Sequence, residues 1–264
     1  MTTPLSRVIV SRLEKAAIDN GFDLELPGST REDGTVQWLG FVSTQCPLRI
    51  WLGMFGDAFV AAFSQQNVAH TLSEFGTVFD GTLPAGASGA RCVADIPALH
   101  HLVRRAFQLS KTLPDELLHV FVKTTATLPR TTEAERLVVQ RVGQDIFRAG
   151  LIEYWEGSCA ITGLALPECL RASHIKPWAD CESDRERLDV FNGFLLAPNL
   201  DAAFDRGFIT VTDEGAVVVS SALGISDLRI LGLAEPLRVR SLTDGHRAYL
   251  SWHRTRVCRQ SGLA

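Results

Sequence analysis

The sequence predicts an α+β protein of two domains, with an N-terminal α+β domain over residues 1–125 and a C-terminal domain over residues 126–264. In the first half, short apolar segments bounded by Gly, Pro, Asn and Asp follow an amphipathic helix, which indicates an antiparallel sheet packed against helices. A chain of 264 residues also exceeds what one ordinary core requires. The polar stretch at residues 124–132 predicts the linker between the domains.

The N-terminal domain begins with a helix over residues 5–21, where apolar residues recur at helical spacing and Asn20-Gly21 provides the stop. Four strands are predicted next, at residues 22–26, 36–42, 48–55 and 59–63. A helix at 66–75 and a loop at 76–89 follow them. A fifth strand at 90–96 and two helices at 98–109 and 114–122 complete the domain. The aromatic residues on these strands suit either base stacking or a core: Trp38, Phe41, Trp51, Phe55 and Phe59. Strand alternation favours the core.

The C-terminal domain begins with a long helix that a capping box of Thr132 and Glu135 opens and that runs to about residue 155, with Gly150 as a candidate break. One face of this helix carries Arg141, Gln144 and Arg148. That face is either a solvated polar stripe or a phosphate-binding surface. The residues expected to pack inward are Val138, Val142, Ile146 and Phe147.

The rest of the C-terminal domain consists of short elements. An alternating run predicts a strand that ends at His174, because the following proline stops a helix. Asn192-Gly193 predicts a turn before an apolar strand, and Pro198 opens a short helix to residue 208. A hairpin turns at residues 212–215, residues 223–233 are helix or loop, 237–239 a strand and 246–258 a last helix.

Four polar residues in this domain form a set that a plain core does not require. A neutral imidazole such as that of His174 can take a proton from water at neutral pH. Asp201 and Asp205 are four residues apart on the predicted short helix, so both carboxylates project from one face and suit a hard divalent cation. Asn192 adds an amide that can orient the histidine or complete a metal shell. The set predicts metal-assisted attack of water on a phosphodiester.

These residues and their surroundings resemble the HNH endonuclease family. The similarity lies in the order His174, Asn192 and an acidic pair on a helix, framed by the strings CAITG, SHIKPW, NG-x-LLAP and FDRGF, and it extends over about residues 131–257. It implies a C-terminal nuclease domain with the ββα-metal fold. It also implies a phosphodiester hydrolase that uses one divalent ion, Mg²⁺ or Mn²⁺, and leaves a 5′ phosphate and a 3′ hydroxyl.

The resemblance also implies roles for individual residues. His174 is the expected general base, Asn192 the middle asparagine, and Asp201 and Asp205 the metal ligands. Ser173 stands where relatives often place a histidine or aspartate ligand, so a weaker donor is expected there. Many relatives bind a structural zinc through paired Cys-x-x-Cys motifs, and this sequence has none, so no structural zinc is expected.

Cations near these positions are candidates for contact with DNA phosphates, because positive charge there offsets the negative charge that builds up in the transition state. Arg171 and Lys176 flank the expected base, and Arg206 follows the acidic pair. His253 on the last helix faces either the substrate or a hydrogen-bonded interior, and the sequence leaves both alternatives open.

Composition limits the class of protein. A formal net charge of −4 excludes the strongly basic balance of a non-specific nucleic-acid binder, so any basic surface is local. Six cysteines without paired spacing fit buried thiols in a reducing cytoplasm. The N-terminus lacks an apolar signal core, and no apolar run reaches membrane-spanning length, so we expect a cytoplasmic protein without a membrane partner. No organic cofactor is expected. The sequence has no glycine-rich phosphate loop that would support control by a small nucleotide ligand.

The favoured function is a metal-dependent DNA endonuclease of restriction or phage-defence type whose N-terminal domain selects the target. Two alternatives stay open: a non-catalytic DNA-binding module on a decayed nuclease fold, and a nuclease gated by a small ligand. Cutting both strands generally takes two active sites, so a homodimer is one arrangement.

Overall fold

The computed structural model describes residues 5–26 and 38–259, with the Pro114 side chain excepted. The chain divides into two compact units, Met1–Lys111 and Thr112–Ala264. Both units mix helix and strand, so the predicted α+β class is confirmed. The predicted boundary near residue 125 and the roles of the two domains stay predictions. Within the described residues, no helix is long and apolar enough to cross a membrane.

The first unit is built on a six-stranded antiparallel sheet. In chain order its elements are α1 (Arg7–Ile18), β1 (Leu24–Glu25), β2 (Leu39–Val42), β3 (Arg49–Phe55), β4 (Ala58–Phe63), α2 (Gln66–Thr71), β5 (Thr77–Val78), β6 (Gly89–Val93) and α3 (Ile96–Thr112). The strands lie in the order β1-β2-β3-β4-β6-β5. Every pairing is antiparallel, as the short connections predict.

Most of the aromatic residues on these strands are core residues. Trp38 and Trp51 pack with Val60, Ala62 and Ala90 in one buried cluster. Strand β5 lies inside the segment predicted as a loop. The sequence did not indicate this strand because both of its residues are exposed and give no alternating pattern. Residues 27–35, which separate the first two predicted strands, and the first two residues of the strand predicted at 36–42 lie outside the described residues.

The second unit holds strands of three or four residues between helices. Its elements are α4 (Pro114–Thr125), α5 (Glu133–Tyr154), β7 (Arg171–His174), α6 (Asp184–Arg187), β8 (Gly193–Leu196), α7 (Pro198–Asp205), β9 (Ile209–Val211), β10 (Val217–Val219), α8 (Ile225–Ile230) and α9 (Asp244–Arg256). The predicted hairpin is confirmed, since β9 pairs with β10. The strand predicted at residues 237–239 is reduced to an isolated bridge between Ala216 and Arg238.

Helix α5 begins at the predicted capping box, with both halves of the box formed, and it runs unbroken through Gly150. Its buried stripe differs from the prediction, because Val138 is 53% exposed. The stripe instead passes through Gly143 and Gly150, where Trp178 and Leu117 pack against the helix backbone. Apolar periodicity missed this face because two of its positions have no side chain.

The hairpin of β7 and β8 lies between two helices. It is antiparallel, with Arg171 opposite Leu196 and His174 opposite Gly193. Helix α5 packs against both strands, and α7 packs against β7. Because successive side chains of a strand point to opposite faces, Ser173 faces α7 while His174 faces α5. This strand pair with its following helix has the predicted ββα form.

A half-buried carboxyl ties the last helix to the segment before β8. The carboxylate of Asp189 accepts hydrogen bonds from the Phe191 backbone and from the Tyr249 hydroxyl of α9, each at 2.9 Å. Burial raises the pKa of Asp189 to about 6, and the two hydrogen bonds only partly oppose that rise. Ionised Asp189 therefore costs folding free energy at neutral pH.

The pH dependence of stability tests this carboxyl. The folded-state pKa lies above the unfolded value, so the stability contribution is present below about pH 4 and is lost as the pH rises through 6. Asp189→Asn removes this dependence and keeps an acceptor for Tyr249. Between pH 4.5 and pH 8, we expect the difference in unfolding free energy between variant and wild type to shift by about 2 kcal/mol in favour of the variant. Urea unfolding at the two pH values measures this shift. The same difference in unfolding free energy at both pH values would contradict a raised pKa of Asp189.

Candidate functional site

The imidazole of His174 is held on three sides. Its ring stacks on Phe147 of α5 with centroids 3.8 Å apart, and its ring centroid lies 5.6 Å from that of Trp178 in an edge-on arrangement. Its Nε2 lies 2.9 Å from the carbonyl oxygen of Arg187. Gly193, opposite His174 in the hairpin, leaves the space that the Phe147 ring occupies. The ring orientation is therefore fixed by packing.

The bond to Arg187 also fixes the tautomer of His174. A carbonyl oxygen can only accept, so Nε2 must carry the proton and Nδ1 must hold the lone pair. None of the described residues forms a hydrogen bond with Nδ1. Burial lowers the pKa of His174 to about 4, with the Arg187 carbonyl opposing that shift, so the ring is neutral at neutral pH.

Asn192 is fully buried, and its side-chain amide is used within the protein. Its Oδ1 accepts from the backbone N–H of Lys176 at 2.8 Å, and its Nδ2 donates to the carbonyls of Lys176 and Glu186, each at 3.2 Å. The amide thereby closes the loop between β7 and α6. Among the described residues, its partners do not include the His174 ring, so its orienting effect passes through this loop.

The two predicted metal ligands lie on α7, on the side of β7 that Ser173 faces. The Ser173 hydroxyl donates to Asp205 Oδ1 at 3.1 Å. Burial raises the pKa of Asp201, opposed by Ser173 and by the Arg171 charge. Burial also raises the pKa of Asp205, and the neighbouring Asp201 raises it further. Two carboxylates that repel each other favour a cation between them.

One cleft connects the two sides of the strand. Its volume is about 310 Å³, and its walls include His174 and Asp205. The other lining residues are Ala172, Ile175, Pro177, Trp178, His253 and Val257. The predicted base and one predicted metal ligand therefore border the same space, although they belong to different elements.

The oxygen donors near Asp205 suit the expected cation if water and substrate complete its shell. Within the described residues, no group of three or more His, Cys, Asp or Glu side chains is placed to hold a metal. Asp201, Asp205 and the Ser173 hydroxyl nevertheless supply hard oxygen donors. Mg²⁺ is commonly bound by one or two carboxylates, with waters and substrate phosphates completing its shell. The residues present therefore fit Mg²⁺ or Mn²⁺, with two protein carboxylates as the main donors.

The predicted phosphate contacts divide into exposed and engaged side chains. Arg171, Arg206, Arg141 and Gln144 are exposed. Lys176 is 9% exposed, and its ammonium bonds Glu186 at 2.7 Å. A phosphate contact by Lys176 would thus require breaking an ion pair.

Two further predicted contacts are engaged within the fold. The Arg148 guanidinium donates to the carbonyls of Leu170 and Pro167, each at 2.7 Å. His253 is 1% exposed, with Nδ1 against the Thr210 hydroxyl at 3.0 Å and Nε2 against the Phe204 carbonyl at 3.1 Å. Of the two alternatives for His253, this geometry agrees with a histidine that is hydrogen-bonded inside the fold. The phosphate roles of both residues stay predictions that these bonds do not favour.

Three residues that position His174 were not predicted as site residues. Phe147 was expected only to pack inward, and Trp178 belongs to the quoted string SHIKPW without a role of its own. Arg187 lies in an exposed-looking charged run, and its contribution to His174 is a backbone carbonyl, which sequence patterns do not report. The aromatic spacing on α5 is the signal that could have indicated Phe147.

Comparison with known proteins agrees with this geometry. Residues 159–212 match the family model described as HNH endonuclease, a segment that contains β7, α6, β8, α7 and β9. A search of curated proteins found no significant match. HNH nucleases generally use a divalent metal. The matched segment carries the predicted base, asparagine and acidic pair in the ββα arrangement, and the C-terminal half of this chain therefore contains an HNH domain.

Proposed function

We propose that the protein is a metal-dependent DNA endonuclease that hydrolyses phosphodiester bonds with His174 as general base. The observation that carries this proposal is the bond from Nε2 to the Arg187 carbonyl, which leaves Nδ1 as the proton acceptor of a histidine that borders the cleft with Asp205. The HNH match supports phosphodiester hydrolysis as the reaction class.

In this proposal His174 accepts the proton of the attacking water at Nδ1. Because its pKa is lowered to about 4, the free ring is neutral and ready to accept, although it is a weak base. A bound phosphate brings negative charge next to the ring, and this charge stabilises the imidazolium and raises that pKa. The rigid stack on Phe147 keeps the acceptor nitrogen in place during the transfer.

Asp201 and Asp205 would hold the divalent ion, and the Ser173 hydroxyl orients Asp205. When bound, such an ion stabilises negative charge on the scissile phosphate and on the leaving 3′ oxygen. Arg171 and Arg206 are exposed beside this acidic pair, and they would contact neighbouring phosphates. Arg141 and Gln144, exposed on α5, would extend that contact. The Asn192 amide keeps the loop closed between base and α6.

We propose further that the first unit selects the target, which would make the protein a restriction or phage-defence nuclease. The support is the compactness of Met1–Lys111 as a separate unit and the analogy with other nucleases that carry a specificity domain. Its buried Trp38 and Trp51 belong to the core, so target contacts would come from other side chains.

Replacing the base tests the reaction. His174→Ala is expected to lower plasmid nicking at least about 100-fold, because water then loses its proton acceptor. Binding of the same DNA in EDTA should change little. His70→Ala, an exposed histidine of the first unit, is the matched control and should cleave like wild type. Nicking by His174→Ala at the wild-type rate would refute this assignment.

Metal dependence tests the acidic pair. EDTA should abolish cleavage, and Mg²⁺ or Mn²⁺ should restore it. Asp201→Asn and Asp205→Asn are each expected to weaken Mn²⁺ binding at least about tenfold in calorimetry, since each removes one of two carboxylates. Asp57→Asn, at an exposed turn of the first unit, is the control. Unchanged Mn²⁺ affinity in both variants would place the metal elsewhere.

Hydrogen exchange tests target selection without truncating the chain. Full-length His174→Ala is mixed with phage or plasmid DNA of differing base modification, and exchange is compared with the free protein. We expect protection in part of residues 38–111 with the preferred DNA and less protection with the others. Protection confined to residues 112–259 with every DNA would remove the specificity role of the first unit.

A further inference from the structure

We propose that Arg187 is a positioning residue for His174, whose side chain fixes the loop that presents the Arg187 carbonyl to the imidazole. This inference rests on the proposed function, because it names a residue that acts through the general base. Arg187 touches no reacting atom in this proposal. Its effect is on which ring nitrogen of His174 carries the proton.

The first step concerns the end of helix α6. The last carbonyls of any helix have no partner within the helix and must be satisfied from outside. In α6 the carbonyl of Glu186 accepts from Asn192 Nδ2, and the next carbonyl, that of Arg187, accepts from His174 Nε2. The asparagine and the histidine are therefore joined through consecutive carbonyls of one helical turn.

The second step concerns the Arg187 side chain, which is directed into its own loop. Its Nε donates to the carbonyl of Trp178 at 3.2 Å, and its Nη2 donates to the carbonyl of Cys181 at 2.7 Å. Its Nη1 pairs with Asp184 at 2.9 Å. The guanidinium carbon lies 5.8 Å from the centroid of the Trp178 ring, the same ring that meets His174 edge-on.

The third step is that these bonds need a guanidinium. Three donors in a rigid plane reach two carbonyls and one carboxylate at once, whereas a lysine ammonium on the same stem cannot span them. The side chain thus ties residues 178, 181 and 184 to residue 187. Without it, the short turn of α6 loses the bonds that hold its last carbonyl against Nε2.

The consequence falls on the tautomer of His174. With the Arg187 carbonyl in place, only the form protonated at Nε2 satisfies the contact, and Nδ1 remains the acceptor. If the carbonyl moves away, both tautomers become accessible, and the form protonated at Nδ1 cannot accept the proton of the water. A wrong tautomer lowers the rate of the proton-transfer step and leaves phosphate contacts intact.

The experiment reads the tautomer directly in the full-length protein at one pH. In nitrogen-15-labelled histidine, the chemical shift of a ring nitrogen depends on whether it carries the proton, so the two ring shifts report the share of each tautomer. The His174 signals are assigned by their loss in His174→Ala. We compare wild type, Arg187→Ala and Arg187→Lys. The matched control is Arg185→Ala on the same helix, whose side chain pairs with the exposed Asp115.

In wild type and in Arg185→Ala, we expect His174 to be protonated at Nε2 alone. In Arg187→Ala and Arg187→Lys, a measurable share should be protonated at Nδ1, with kcat for nicking lower by at least about tenfold and KM changed little. Added guanidinium ion should partly restore both the tautomer and kcat in Arg187→Ala. Circular dichroism before each measurement shows which variants are folded, and Arg187→Lys carries the test if Arg187→Ala is not.

Three results would overturn the proposal. One is a wild-type His174 protonated at Nδ1, and another is an Arg187 variant that keeps the wild-type tautomer while losing cleavage, which would make the residue structural only. The third is an Arg187 variant with wild-type kcat. If the wild-type protein cuts no DNA at all, the proposed function fails, and the ring signals still decide whether Arg187 sets the tautomer.

Discussion

The contact between His174 Nε2 and the carbonyl of Arg187 is the constraint on which the rest of the site depends. A carbonyl cannot donate, so this single bond decides which nitrogen of the imidazole is protonated and which can accept. The stack on Phe147 then fixes the plane of the ring. Because Asn192 bonds the preceding carbonyl, the two residues that lie eighteen positions apart in the chain share one short helix as their common support.

Strand alternation separates the chemistry of the site into two sides. Ser173 directs its hydroxyl to the acidic pair on α7, and the next residue, His174, directs its ring to α5. The cleft bordered by His174 and Asp205 reconnects these sides at the end of the strand. The four-residue strand β7 thus serves both the proposed base and the proposed metal site. It can do so because α5 packs on the side of His174 and α7 packs on the side of Ser173.

Individual residues show which features of the fold could be predicted from the sequence. The capping box at Thr132, the proline at the start of α7 and the pairing of β9 with β10 were all predicted, because each depends on residues within one or two turns of chain. The buried face of α5 was predicted wrongly at Val138, since the true face runs through glycines that accommodate Trp178 and Leu117. The apolar periodicity of a helix cannot indicate a contact in which the helix contributes a glycine and the large side chain belongs to another element.

The sequence by itself determined the α+β class, most of the helices and strands, and the identity of the histidine, asparagine and aspartates that an HNH domain would use. Only the tertiary structure decided which partners the predicted site residues have. In the folded protein the Asn192 amide is hydrogen-bonded within a loop, Lys176 is paired with Glu186, and His253 is buried between Thr210 and Phe204. The physical reason is that spacing along the chain sets which face of an element a side chain occupies. Hydrogen-bond partners from distant segments are set by how those elements pack.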